Sequence, residues 1–138
     1  MSSINYRRLM VSGLLAAVVM IAGQIAVIGT LGPRLMAARD AAHLPPMVPQ
    51  PLLNVLEVLS LGFAIAWLYA AIRPRYGTGV LTAARAGLCA WFFLGFLGTI
   101  HAINDNLGFP TRLLVLVAAG MLPVVVLASI AGAWAYRE

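Results

Sequence analysis

The sequence predicts an all-α membrane protein of four transmembrane helices in an antiparallel bundle. Three observations carry this reading. Of 138 residues, 62% are hydrophobic and 9% charged, where soluble domains carry about a quarter charged residues; folded in water, the chain would lack polar surface to cover its apolar atoms. Four apolar runs account for almost the whole length, each near the roughly 20 residues at 1.5 Å that a helix needs to cross a ~30 Å hydrocarbon core. The runs are closed by arginine, proline or glycine, and the third by a polar cluster. A single membrane domain over residues 1–138 follows, with helices at about 9–31, 52–72, 82–103 and 112–136.

The first run follows Tyr6-Arg7-Arg8. A basic start before an apolar stretch resembles a secretory signal, but the apolar core of a signal is only about 7–15 residues, so an uncleaved first helix is expected, ended by Gly32-Pro33. Gly13 and Ala17 stand four apart, where a neighbouring helix can approach closely. Residues 32–51 form an outer loop: Leu35 to Ala42 suit a short interfacial helix. His43-Leu44-Pro45-Pro46-Met47-Val48-Pro49-Gln50-Pro51 suits a stiff extended strap, since proline lacks an amide hydrogen and restricts the residue before it.

The second run carries Gly62, Ala66 and Ala70 at four-residue spacing and contains the one acid inside an apolar run, Glu57. Trp67 and Tyr69 approach the far interface. Arg73-Pro74-Arg75 is expected to end this helix and open a cytoplasmic turn over 73–81, where Gly77 and Gly79 supply permissive backbone and Thr78 or Thr82 can cap the next helix. The third run, with Gly87, Gly95 and Gly98 among Trp91, Phe92, Phe93 and Phe96, ends in His101, Asn104, Asp105 and Asn106. An outer turn over 104–111 leads to the fourth run, where Pro123 predicts a kink and Ala128 and Gly132 offer another close-packing pair.

The net charge of +5 comes from nine arginines, no lysines and four acids. The arginines sit at the ends of apolar runs, without aromatic interleaving, so topology and anionic headgroups explain them and nucleic acid does not. With the N-terminus inside, Arg7, Arg8, Arg73, Arg75, Arg85 and Arg137 are cytoplasmic, while Arg34, Arg39 and Arg112 are outside. That bias places both termini in the cytoplasm. Cys89 is the only cysteine, which excludes an internal disulfide and a thiolate cluster; a small core residue is its plain reading. There is no Gly-x-Ser-x-Gly elbow, phosphate loop or His-x-x-x-His pair. The sequence therefore implies no catalytic residue, metal or cofactor, and leans away from an enzyme.

The two halves echo one another. Gly13-Leu14-Leu15-Ala16 is matched by Gly87-Leu88-Cys89-Ala90, Gly23-Gln24-Ile25 by Gly98-Thr99-Ile100, and Trp67-Leu68-Tyr69 by Trp134-Ala135-Tyr136. A duplicated helical hairpin would relate the halves by an axis along the membrane normal. Chance is the competing reading, because glycine, alanine and leucine are so common here.

From the rise per residue, Gln24, Asn54, Glu57 and His101 fall within roughly 6–10 Å of the bilayer centre or slightly higher, all on the outer side. An acid at a helix centre costs about 2.5–3.5 kcal/mol on insertion scales. The eleven Leu, Ile, Val and Phe residues of the same run offset this at about −0.3 to −0.6 kcal/mol each, so Glu57 can be a packing feature bonded to Gln24 or His101. It can equally form, with His101, a site for a proton, a small cation or a ligand. Arg73, Arg75 and Arg85 are expected to anchor the turn to lipid phosphates, or to hold a specific anionic headgroup or partner.

Tyr69-Ala70-Ala71-Ile72-Arg73-Pro74-Arg75-Tyr76-Gly77-Thr78-Gly79, then Thr82-Ala83 and Gly87-Leu88-Cys89-Ala90-Trp91, resembles a family of short, uncharacterised bacterial membrane proteins. The closing Gly132-Ala133-Trp134-Ala135-Tyr136-Arg137-Glu138 is similar to that family's ending. The resemblance covers the second helix to the C-terminus and implies four helices in a bacterial inner membrane. It implies no activity, and Gln24, Glu57 and His101 lie outside its motif. Two functions are expected: a non-enzymatic structural, accessory or scaffold subunit, as a homo-oligomer or within a larger complex, or a small oligomeric transporter or channel using the polar layer around Glu57.

Overall fold

The computed structural model describes residues 5–45, 48–105 and 108–136. Among them every regular element is a helix, and four stretches are long and apolar enough to cross a membrane. Pro46, Met47, Asn106, Leu107, Arg137 and Glu138, which figure in the sequence argument, lie outside the described residues.

Helix α1 spans Tyr6–Ala41 and opens on Asn5, whose side chain accepts the Arg8 amide at 3.2 Å, satisfying a donor that a helix start leaves unpaired. It does not stop at Gly32-Pro33 as expected but runs on for another two turns, so the segment 35–41 continues α1 and is not a separate helix. Pro33 removes one amide, and membrane helices tolerate this where nearby groups re-satisfy the backbone. The stop comes at His43, which adopts φ 51; the His43 amide donates to Asp40 O and the Leu44 amide to Arg39 O, both at 3.1 Å. This is a Schellman ending with histidine where glycine is usual. At 36 residues, α1 is about 54 Å long, well beyond a ~30 Å hydrocarbon core.

Helix α2, Pro51–Tyr76, begins with proline, whose missing amide is no loss at a helix start, and runs one turn past the expected end at Ile72. Near a C-terminus Pro74 forfeits a single bond, and the Gly77 amide closes the helix on Arg73 O at 2.9 Å. Gly77 (φ 81) and Gly79 (φ 139) then turn the chain through left-handed backbone. Neither threonine caps α3, Val80–Trp91; the Thr82 hydroxyl instead donates to Tyr76 O at 3.2 Å. A wide π-helical turn, Phe92–Phe96, bonds the Leu97 amide to Phe92 O and leads into α4, Leu97–Asn104. Helix α5, Thr111–Ala135, passes through Pro123 without interruption.

Helix α5 is the hub: it meets α1 along its length, α3 closely, and α2 and α4 more sparingly. Ser12 meets Gly132, Gly23 meets Val124 and Val27 meets Gly120. One buried cluster joins Ala16, Ala17, Met20, Val58, Ile65, Val125 and Ala128; a second joins Tyr69, Ala70, Ala83, Ala86, Ala133 and Tyr136 near the glycine turn. Backbones nearly touch where helices cross. A Cβ on Gly62 would lie 2.5 Å from Gly13 O, and one on Gly87 would lie 2.9 Å from the Val126 Cα. Two buried hydroxyls bridge helices at these levels, Ser12 donating to Gly132 O and Ser129 to Ala83 O, each at 2.7 Å.

Candidate functional site

The four residues expected to form a polar layer occupy different surroundings. Gln24 is half-buried on α1, whereas Asn54 and Glu57 are exposed on α2 and His101 is exposed on α4. No hydrogen bond joins any two of them among the described residues. His101 instead pairs with Asp105 at 3.1 Å, one turn along the same stretch, and its side chain is 78% exposed. Helix α4 approaches α5 and its own preceding turn, and among the described residues it does not reach α1 or α2. The bonds weighed for Glu57, to Gln24 or to His101, are therefore not made within one chain. The geometry explains why: a partner four residues away is at hand on the same helical face, while the bundle leaves α4 apart from α2.

What α2 offers is a polar stripe at its loosely packed start. Residues 51–57 are all exposed, Asn54 and Glu57 among them, and from Ser60 on the exposed side continues through Ala64, Trp67 and Ala71. The third span is the least packed of the four. Only 11% of its most apolar window is buried, against 28–33% in the others. Phe92, Phe93, Leu94 and Ile100 are exposed along it.

At the glycine turn, the arginines lie over aromatic rings. Arg73 sits 5.8 Å from the Tyr136 ring centre, and Arg85 sits 5.4 Å from that of Tyr76, cation–π distances that hold a guanidinium beside the bundle. Arg75 is exposed. Tyr69 and Tyr136, both buried, meet edge to face at 6.1 Å, and Tyr136 accepts the Asn5 amide on its hydroxyl at 3.2 Å. A cavity of about 340 Å³ opens there between Arg73, Thr78, Gly79 and Trp134.

Sequence reasoning missed two features. Trp91, read as one of several aromatics, donates its indole N–H to Ala118 O at 2.9 Å and lies over Gly95; the four-residue spacing of that tryptophan and glycine was the available signal. Arg39, read only as an outer-loop charge, lines a second and larger cavity between α1, the strap and the start of α2. Set beside known proteins, the chain matches no family model, no curated protein and no solved structure.

Proposed function

We propose that the chain is a non-enzymatic structural or accessory subunit of a bacterial cytoplasmic membrane, completed by contact with another membrane polypeptide or a second copy of itself. The observation that carries this is the outward stripe Asn54-Glu57-Ser60 on α2. From the helix midpoint, Glu57 lies roughly 10 Å from the bilayer centre, where a carboxyl group facing lipid is unfavourable and polar side chains act as links between helices. A neighbouring chain covers it. The sparsely packed third span supplies additional uncommitted surface for the same purpose.

The architecture in this reading is an antiparallel bundle with both termini in the cytoplasm, supported by the paired positions along α1 and α5 and by the arginine bias. An internal duplication is supported by the crossing points: Gly13 with Gly62 in the first hairpin and Gly87 with Ser129 in the second stand at corresponding positions. Tyr69 and Tyr136, the equivalent tyrosines, face each other. The family with the Tyr-Ala-Ala-Ile-Arg-Pro-Arg turn remains the fitting home for the chain, and Arg73, Arg75 and Arg85 serve as anchors to anionic headgroups at about 1 kcal/mol each.

A photo-crosslinking p-benzoylphenylalanine in place of Ser60 tests the contact directly, because it inserts into C–H bonds of whatever lies against it. Irradiation of native membranes yields a crosslinked species, whereas the same group in place of Leu127 on the exposed side of α5 does not. Absence of crosslinking at position 60 would remove the stripe as an interface. Reconstituted vesicles separate the transport reading: a proton or cation flux lost in Glu57→Gln would favour a transporter assembled from several copies over a scaffold.

A further inference from the structure

The larger cavity is an open groove of about 800 Å³, within the range of small-ligand sites, and its lining combines apolar and charged groups. Ile28 and Met36 line it along α1, Arg39 and Asp40 stand at the helix end, and Gln50 and Asn54 belong to the start of α2. From Ile28 to Asp40 the helix rises about 18 Å. The cavity thus joins an apolar wall to a charged rim, the shape of a site for an amphiphile.

The rim is polar in a particular way. Arg39 lies 5.8 Å from the Phe109 ring centre and donates through Nη2 to Pro45 O, while its Nε is buried and has no acceptor among the described residues. A guanidinium held in this way keeps a fixed positive charge at the rim, which attracts a phosphate. Helix α2 begins here with no side-chain cap and no acid in its first turn, so its positive end also favours an anion. Asp40, beside Arg39, makes no ion pair among the described residues. A purely anionic headgroup would meet its repulsion, whereas a headgroup that also carries an ammonium would meet its attraction.

We propose that this cavity binds a zwitterionic aminophospholipid, with phosphate against Arg39 and the start of α2, ammonium against Asp40, and acyl chain along Ile28 and Met36. The site rests on the membrane reading and shares Asn54 with the α2 contact proposed above, but it does not require that contact. A chain that fractionates with membranes and retains no lipid fails here alone.

Native mass spectrometry of the full chain tests it, with phosphatidylethanolamine, phosphatidylglycerol and diacylglycerol titrated separately into the detergent-extracted protein. The expected result is preferential binding of phosphatidylethanolamine, by about fivefold over phosphatidylglycerol for one charge at the surface. Arg39→Gln should weaken both phospholipids by about tenfold, as loss of a charge-assisted bond does. Asp40→Asn, at an exposed position, should erase the preference while leaving phosphatidylglycerol bound. Equal binding of all three lipids, or a preference that survives Asp40→Asn, overturns the proposal. Displacement by soluble glycerophosphoethanolamine at the same concentration as the lipid also overturns it, because the ligand would then be a free phosphodiester and the apolar wall would contribute nothing.

Discussion

Gly62 is where a single methyl group matters most, because its added Cβ would collide with backbone, 2.5 Å from Gly13 O and 3.0 Å from the Ala17 amide. Backbone cannot rotate aside as a side chain can, so α1 and α2 must separate. Gly62→Ala should destabilise by about 1–3 kcal/mol in detergent unfolding, the usual range for overpacking. Gly29→Ala, with nothing within 4 Å, should be neutral or stabilise by about 0.5–1 kcal/mol through helix propensity alone. Equal melting of the two variants would contradict the close crossing. Ser129→Ala removes a buried bridge to Ala83 O and should cost about 0.6 kcal/mol, the average for bonds between membrane helices. These crossings were legible in the sequence, because residues four apart on a helix share a face, so Gly13 with Ala17 and Gly62 with Ala66 announce close packing. Gly98 shows the limit of that signal. Its spacing is as suggestive, yet nothing approaches it, since a small residue permits contact without requiring it.

Among the elements, α1 departs furthest from the extent that sequence reasoning assigns, with α2 a turn longer than expected. Gly32-Pro33 reads as a stop, but Pro33 costs the helix one amide and leaves the bonds of the following residues intact, so the good helix formers of Leu35-Met36-Ala37-Ala38 carry α1 on. The true end depends on His43 accepting a left-handed conformation, which no residue type announces. His43→Gly should therefore raise stability by up to about 1 kcal/mol, glycine entering that conformation freely; a loss of stability would show that the imidazole makes a contact worth more than the strain. The wide turn Phe92–Phe96 was equally invisible, since a π-helical turn has no compositional signature. It places Trp91 against α5 through Ala118 O, one residue before the carbonyl that Pro123 leaves without its usual amide partner. Trp91→Phe keeps an aromatic ring and should cost about 1 kcal/mol for the lost hydrogen bond, measured by the same unfolding assay.

For the molecule as a whole, membrane character was legible because hydropathy is a sum over many residues and tolerates errors in each. The polar layer was not. Depth along each helix follows from counting, but the face that a side chain takes depends on rotation and on which helices are neighbours. Here α5 takes the centre and α4 stands away from α2, so Glu57 and His101, expected at one level, do not share a site. The outward position of Glu57 turns that difference into the main functional claim, that a second polypeptide covers the Asn54-Glu57-Ser60 stripe. Native mass spectrometry of the wild type and Glu57→Leu, extracted in the same mild detergent, tests this most directly. The wild type is predicted to appear as an oligomer or with a bound membrane subunit, and Glu57→Leu, which keeps the bulk and removes the polar link, as a shift toward the single chain. A wild type that is one chain at every detergent concentration that keeps it folded would contradict the account.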